Sequence, residues 1–522
     1  MYPPELQDSL DKLEASRDFR RTQPLERITP EAKDALLRAY HPDYQAGAMG
    51  IIKIGANAGE SAPVELVNLL HGNSRINLDD IDLTQPDFVT DVLVVGSGGA
   101  GLTAALSAHD SGARVLIATK LRNGDSNTIM ATGIAAPTGE KDSPSAHYLD
   151  TMGGSNFTAT PELVKALVTD GPEIIAWFEA LGVRFDKDDN GDFKLGAAGG
   201  YSRRRIHSCG DFTGLDIMRV LKDEIHKRGI HVLEFAPAVE LILDDEAHCA
   251  GAILYDYDRD CTITVQAKAV ILTTGGIGRL HLRGAPTTNH YGATADGLVI
   301  AYRAGAKLLH QDSIQYHPTG VVYPNAFFGQ LVSERCRGSG GQLVNCHGER
   351  FVYELETRDV VASSIIKACA QGDGIETASG HVGVWLDTVT IREEDRWKLQ
   401  NLHKRFLAQD IDIWQKPLLI YPTQHYQNGG VLIDPHGRTT IPNLYAAGEL
   451  AGGIHGRNRL AANSLLDIFV FGKRAGTHAT QTLSHTQSLT LDHLREYANR
   501  LNDANAESGV LSPALLPEYR KR

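Results

Sequence analysis

A chain of 522 residues is too long for a single hydrophobic core, so two or more domains are expected. Its 51 Lys+Arg against 64 Asp+Glu give a formal net charge of -13, which argues against nucleic acid as a partner but leaves local basic sites open. No apolar run approaches the roughly 20 residues that span a bilayer, and no apolar segment follows the Arg pair near the N-terminus. A cytoplasmic protein is therefore expected, associated with a membrane only through a partner.

Residues 1–88 are polar with helix-prone runs ("PEAKDALLRAY", "APVELVNLL") and are expected to form an extension before the main domain. At Asp91 the pattern changes. The stretch "DVLVVGSGGAGLTAALSAHDSGARVLIATK" predicts a buried strand, a glycine turn, a small-residue helix and a second strand, which is a βαβ unit. "VELILDD", "CAGAILYDY" and "TITVQAKAVILTTGG" predict three further strands in succession. From about Gln311 the texture shifts to loops, glycines and helix-like runs such as "VVASSIIKACA". Strands and glycines return at "NGGVLIDPHGRTTIPNLYAAGE", ahead of the helix-like "NSLLDIFVFGKRAGTHATQTL". This order predicts an α/β chain with a Rossmann-like dinucleotide-binding domain in two parts, 89–311 and 424–480. An inserted domain at 312–423 interrupts it, and a short helical tail at 481–522 follows.

The six cysteines, at 209, 249, 261, 336, 346 and 369, form no C-x-x-C pair, so neither a metal or iron–sulfur site nor an attached haem is expected, and the thiols are expected to be free and buried. Gly96, Gly98 and Gly101 spell G-x-G-x-x-G between a strand and a helix. Glycine there permits the tight turn, the approach of a pyrophosphate to backbone N–H groups, and close helix–sheet packing. The second strand ends in Thr119–Lys120, where an NAD site would place a carboxylate on the ribose, so the pattern points to FAD instead. "LYAAGE" ends in Glu449, a candidate acceptor for ribityl hydroxyls. "NSLLD" opens a helix at Asn463, Ser464 and Leu465, whose positive end suits the flavin edge that gathers negative charge.

The stretches "VVGSGGAGLTAAL", "SNTIMATGIAA", "HPTG", "SERCRGSGG", "TRDVVASS", "HYQNGG" and "LYAAGELAGGIHGRNRLAANSLLD" run in one order from about residue 90 to 478. In this the chain resembles the flavoprotein family of fumarate reductases, succinate dehydrogenases and L-aspartate oxidases. The resemblance implies that the inserted domain is a mobile α+β cap closing over a dicarboxylate. It implies an FAD site drawing also on Gly99, Ala100, Ser126, Asn127, Thr128, Gly133, Thr274, Gly275, Asp296 and the residue at position 237, which is Pro237. Arg358 would be the acid at the substrate double bond, with Glu334 and Arg337 as its proton relay. His317, Thr319, His425 and Arg459 would bind the substrate carboxylates. Arginine is ordinarily a poor acid, and neighbouring cations together with a carboxylate relay are what would make the transfer feasible.

Three departures refine this expectation. Asn127 stands where membrane succinate dehydrogenases carry the histidine linked to flavin, so non-covalent FAD is expected. Ala198 replaces the acidic residue that L-aspartate oxidases set against the substrate ammonium, which makes L-aspartate oxidase the alternative rather than the first expectation. Only some 45 residues follow "NSLLDIFVFGKRAG", which puts the family's usual docking to an iron–sulfur subunit in doubt, although an electron-transfer partner is still required. A flavin subunit that only relays electrons would not need competent residues at positions 317, 334, 358, 425 and 459, yet all five are present.

Overall fold

The computed structural model describes residues 2–483 and 488–517. Its parallel sheet core has five strands in the spatial order Leu444–Ala446, Cys261–Leu272, Phe88–Val95, Val115–Ala118, His231–Leu233. Val92 to Val95 are buried on both faces, as apolar runs in parallel strands require. The Cys261–Leu272 strand does two jobs. Its first half pairs antiparallel with Cys249–Asp256, which pairs in turn with Ala238–Asp244, and its second half joins the parallel core. These are the three successive strands expected from the sequence.

The glycine-turn helix, Gly99–Asp110, packs lengthwise on Asn463–Gln481. Small residues make the approach possible: a Cβ at Gly472 would lie 2.6 Å from the Ala100 carbonyl oxygen, and one at Gly476 would overlap that of Ala104. Two elements far apart in the chain are thereby locked together beside the turn.

A second, antiparallel sheet has the order Ile314–Tyr323, Leu418–Gln427, Val382–Asp387, Gln342–Val344, with the Arg358–Ala370 helix packed on it. It encloses its own apolar core, which includes Val384, Trp385, Leu386 and Ile420.

The chain ends differ from expectation. Rather than forming a separate extension, the N-terminal segment is divided between the two cores. Tyr2, Leu6, Leu10 and Leu13 enter the smaller one, where Arg20, 1% exposed, pairs with Asp387 at 2.8 Å. Ile52, Ile54, Ala62 and Leu66 join the larger core. The C-terminal part is not a purely helical tail either: Leu489–Thr490 adds an edge strand to the large sheet, and Leu511–Ser512 pairs parallel with Asn73–Ser74. Of the thiols, Cys249 and Cys336 are buried as expected, whereas Cys261 is exposed at the start of its strand. Among the described residues, no cluster of His, Cys, Asp and Glu could hold a metal ion, and no helix is long and apolar enough to cross a membrane.

Candidate active site

A cavity of about 280 Å³ runs from the glycine turn to the seam between the two cores. At its first end the Phe88–Val95 strand enters a turn that demands glycine. Gly96 has φ +111°, and a Cβ there would lie 2.5 Å from the Thr273 carbonyl oxygen. At Gly99 a Cβ would meet Ile468 Cδ1 at 2.6 Å, and at Gly101 it would overlap the Gly96 carbonyl oxygen. Gly101 thus serves the close helix–strand contact rather than the wall, while Gly96, Gly98, Gly99 and Ala100 line the cavity. Gly98 caps the helix start without a side chain; the Gly99 N–H donates to Thr128 Oγ1 (3.1 Å), and the next N–H groups of the first turn are left for an anion.

Thr119, Lys120, Ser126, Asn127, Thr128, Gly133, Pro237, Thr274, Gly275 and Asp296 also line it. Lys120 is tied to the Asp296 carboxylate and to Thr294 Oγ1 (2.7 Å), so it acts within a charge-balanced pair. Thr274 Oγ1 is buried with no partner among the described residues, a polar atom that awaits a ligand. Asn127 is clamped: Nδ2 donates to Asn289 Oδ1 (2.6 Å), and Oδ1 accepts from the His290 N–H (2.6 Å). Glu449 accepts from the Gln427 N–H (3.0 Å), and burial pushes its carboxyl up to about 7. Ser464 and Leu465 line the cavity, whereas the Asn463 side chain is used by the scaffold, bonded to His147, Tyr201 and Thr151. The glycine cradle, the open helix start and the unpartnered threonine fit a dinucleotide such as FAD.

At the other end the second sheet supplies two histidines. His317 lies opposite Thr423 in the ladder, and the register slips between Gln315↔Tyr426 and Tyr316↔Gln424, which leaves His425 as the unpaired residue of a β-bulge. The two rings sit 5.0 Å apart, centroid to centroid. His317 Nδ1 accepts from the Thr319 N–H (3.2 Å), which leaves the proton on Nε2. Burial, followed by the nearby arginines, holds His317 well below its ordinary range. Burial followed by His317 does the same to His425, so both rings are neutral at pH 7. Thr319 itself is fully buried, with its hydroxyl on the Val332 carbonyl oxygen (2.7 Å), so it orients His317 and does not face the cavity as expected.

Arg358, the first residue of its helix, donates from Nε to Glu334 Oε2 (2.8 Å) and from Nη1 to Gln315 Oε1 (3.0 Å). Arg459 donates from Nη2 to the same Gln315 oxygen (2.9 Å) and from Nη1 to Ser464 Oγ (2.6 Å), and its Nε has no partner among the described residues. Burial, then Arg358, lowers Arg459 to about 10. Burial alone would raise Glu334, but Arg358 and Arg337 hold it down to about 2. Arg337 is fully buried and forms an ion pair with the same Glu334 oxygen, Nη2 to Oε2 at 3.3 Å.

Gln315, which joins the two guanidiniums, was not singled out from the sequence. It stands two residues before His317 on one strand, and the period-2 alternation of a strand would have placed the pair on one face. Arg335 and Tyr426 were also missed. Arg335 anchors the wall through the Thr132 and Gly210 carbonyl oxygens, and the Tyr426 ring lies 4.3 Å from the Arg459 guanidinium carbon.

A cradle for a dinucleotide opening onto a buried cluster of arginines and neutral histidines defines a flavoprotein oxidoreductase. A family model described as an FAD binding domain matches residues 91–465, and the chain belongs to that family, together with fumarate reductase, succinate dehydrogenase and L-aspartate oxidase flavoproteins. It is 36% identical over 440 residues to one of the subunits of the fumarate reductase (CoM/CoB) of Methanothermobacter marburgensis, covering 81% of this chain and 78% of that one. To the L-aspartate oxidase of Streptomyces coelicolor it is 38% identical over 424 residues, covering 77% and 71%. A chain of a mutant E. coli quinol fumarate reductase superposes with a TM-score of 0.71 at 28% identity, covering 80% of this chain and 74% of that chain.

Proposed function

We propose that this chain interconverts fumarate and succinate, or a close unsaturated dicarboxylate, with non-covalently bound FAD, as the flavoprotein subunit of a larger assembly. The carrying observation is a charge imbalance. Arg337, Arg358 and Arg459 are all buried, and among the described residues Glu334 is the one carboxylate in ion-pair contact with any of them. Glu354 acts on Arg337, and Glu449 and Asp467 on Arg459, only without ion-pair contact, so Arg358 and Arg459 face the cavity with more positive charge than their contacts neutralise, and a dianion answers this. Neutral His317 and His425 add uncharged donors beside it.

FAD, when bound, supplies the two-electron exchange with the substrate. The chain's own residues manage the proton. With Nε on Glu334 and Nη1 on Gln315, Arg358 keeps Nη2 for the substrate carbon; the proton it gives up is replaced from solvent, with the Glu334 carboxylate accepting a proton by way of Arg337 and passing it on to Arg358. Arg459, fixed by Gln315 and Ser464 and stacked on Tyr426, grips a carboxylate through its planar fork. The smaller core, which brings Arg358 and both histidines to the seam, acts as the cap.

Anaerobic mixing of the reduced protein with fumarate tests the reaction. Rapid flavin reoxidation is expected, with slow or no reduction of the oxidised protein by L-aspartate, because Ala198 lines the cavity and offers no carboxylate to an ammonium group. Fast reduction by L-aspartate would instead favour the reaction named for the Streptomyces relative. Asn127, which has no ring nitrogen to bond the flavin and is held by Asn289 and His290, supports the non-covalent mode. Acid precipitation should leave yellow FAD in the supernatant; flavin retained in the washed pellet would contradict this.

A further inference from the structure

The family match begins at residue 91, so the N-terminal segment lies outside it, yet this segment touches the site's supporting elements at three points. The Ile28 N–H donates to Glu356 Oε1 (3.1 Å), two residues before Arg358. The Ile314 N–H, at the start of the strand that carries Gln315 and His317, donates to Asp43 Oδ2 (2.9 Å). Between them, on the Pro30–Tyr40 helix that packs against Arg358–Ala370, Lys33 Nζ lies 3.3 Å from Asp359 Oδ2 and 3.0 Å from Asn156 Oδ1.

Asp359 continues the connection inward. Its Oδ1 accepts from Asn458 Nδ2 (3.3 Å), Asn458 Oδ1 accepts from Gln315 Nε2 (3.2 Å), and Gln315 Oε1 holds both Arg358 and Arg459. Asn458 Nδ2 also reaches the Gly154 carbonyl oxygen (2.9 Å), and Asn156 sits two residues beyond it. Through its ion pair with Asp359, Lys33 therefore closes a chain of hydrogen bonds that runs from the surface to the two guanidiniums and crosses from the helix of the smaller core to Asn156, just past the end of the Pro144–Gly154 helix.

We infer that Lys33 is a positioning residue for the proposed reaction: by bridging Asp359 and Asn156 it clamps the Arg358-bearing helix over the site. Asp359 is 8% exposed. Without the ammonium it keeps a single amide donor in a poorly solvated place, and its relaxation would pull on Asn458 and Gln315. A guanidinium that must address one carbon is sensitive to such movement. The assignment rests on the dicarboxylate reaction proposed above.

Lys33→Met and Lys33→Arg in the full-length holoenzyme test it. Lys33→Met keeps the apolar stem and removes the charge. It should lower kcat for fumarate per bound FAD by about tenfold while moving KM less than twofold. It should also reduce the hydrogen-exchange protection of the Arg358–Ala370 amides, with that of Phe88–Val95 unchanged. Lys33→Arg should restore both. A Lys33→Met enzyme with normal kcat per bound FAD overturns the assignment, even if its exchange or melting temperature has changed, because the ion pair would then be structural alone. If the wild type turned over no dicarboxylate, the proposed reaction would fall, and exchange would decide the clamp: equal protection in the wild type and Lys33→Met overturns it.

Discussion

Arg358→Lys is expected to keep FAD bound and dicarboxylate affinity largely intact while kcat for fumarate falls by more than about 10²-fold, the low end for losing a positioned acid. Lysine retains the charge and three N–H donors, but they sit on one nitrogen at the end of a flexible stem, so they cannot reproduce the planar spread that sets Nε on Glu334, Nη1 on Gln315 and Nη2 toward the substrate. Arg459→Lys should behave differently. The fork that joins Gln315 and Ser464 is lost there, so KM should rise with kcat less affected, with up to about 3 kcal/mol at stake for a charge-assisted hydrogen bond. Steady-state kinetics on both variants, with dithionite reduction of the flavin as a control for correct assembly, separate the roles. Near-normal turnover by Arg358→Lys would return this arginine to a structural ion pair with Glu334.

The second large effect is on the cofactor. Gly101→Val should yield protein without FAD and with lowered thermal stability, because its Cβ would overlap the Gly96 carbonyl oxygen and lie 2.6 Å from Thr273 Oγ1. Backbone cannot yield as a flexible side chain can, so the Gly99–Asp110 helix must move away from the strand, at about 1–3 kcal/mol or more. The helix is also pressed against Asn463–Gln481, so the displacement reaches Ser464 and Leu465. Gly112→Ala is the control. Gly112 has φ +90° but nothing within 4 Å of a Cβ, so it should cost about 1 kcal/mol of backbone strain and leave flavin content unchanged. The ratio of flavin to protein absorbance and the melting temperature report both; stoichiometric FAD in Gly101→Val would disprove the contact argument.

The features legible in the chain alone are those whose physics is local. The apolar run 92–95 had to be a doubly buried strand, Gly96 to Gly101 had to form a turn closed to larger side chains, and the ordered motifs brought Arg358, Glu334, Arg459, His317 and His425 to notice. Strand alternation and glycine's freedom act over a few residues, so they can be read without the fold. Other features depend on partners far away in the chain and emerged only on folding. Gln315 became the joint between Arg358 and Arg459 through contacts 43 and 144 residues distant, His425 was left unpaired at a bulge, and Thr319 was placed behind His317. The first 88 residues looked like an appendage because a polar helix with one apolar stripe does not say which surface will cover it. Their division between two cores, and the reach of Lys33 to Asp359, arise from packing that no local pattern encodes.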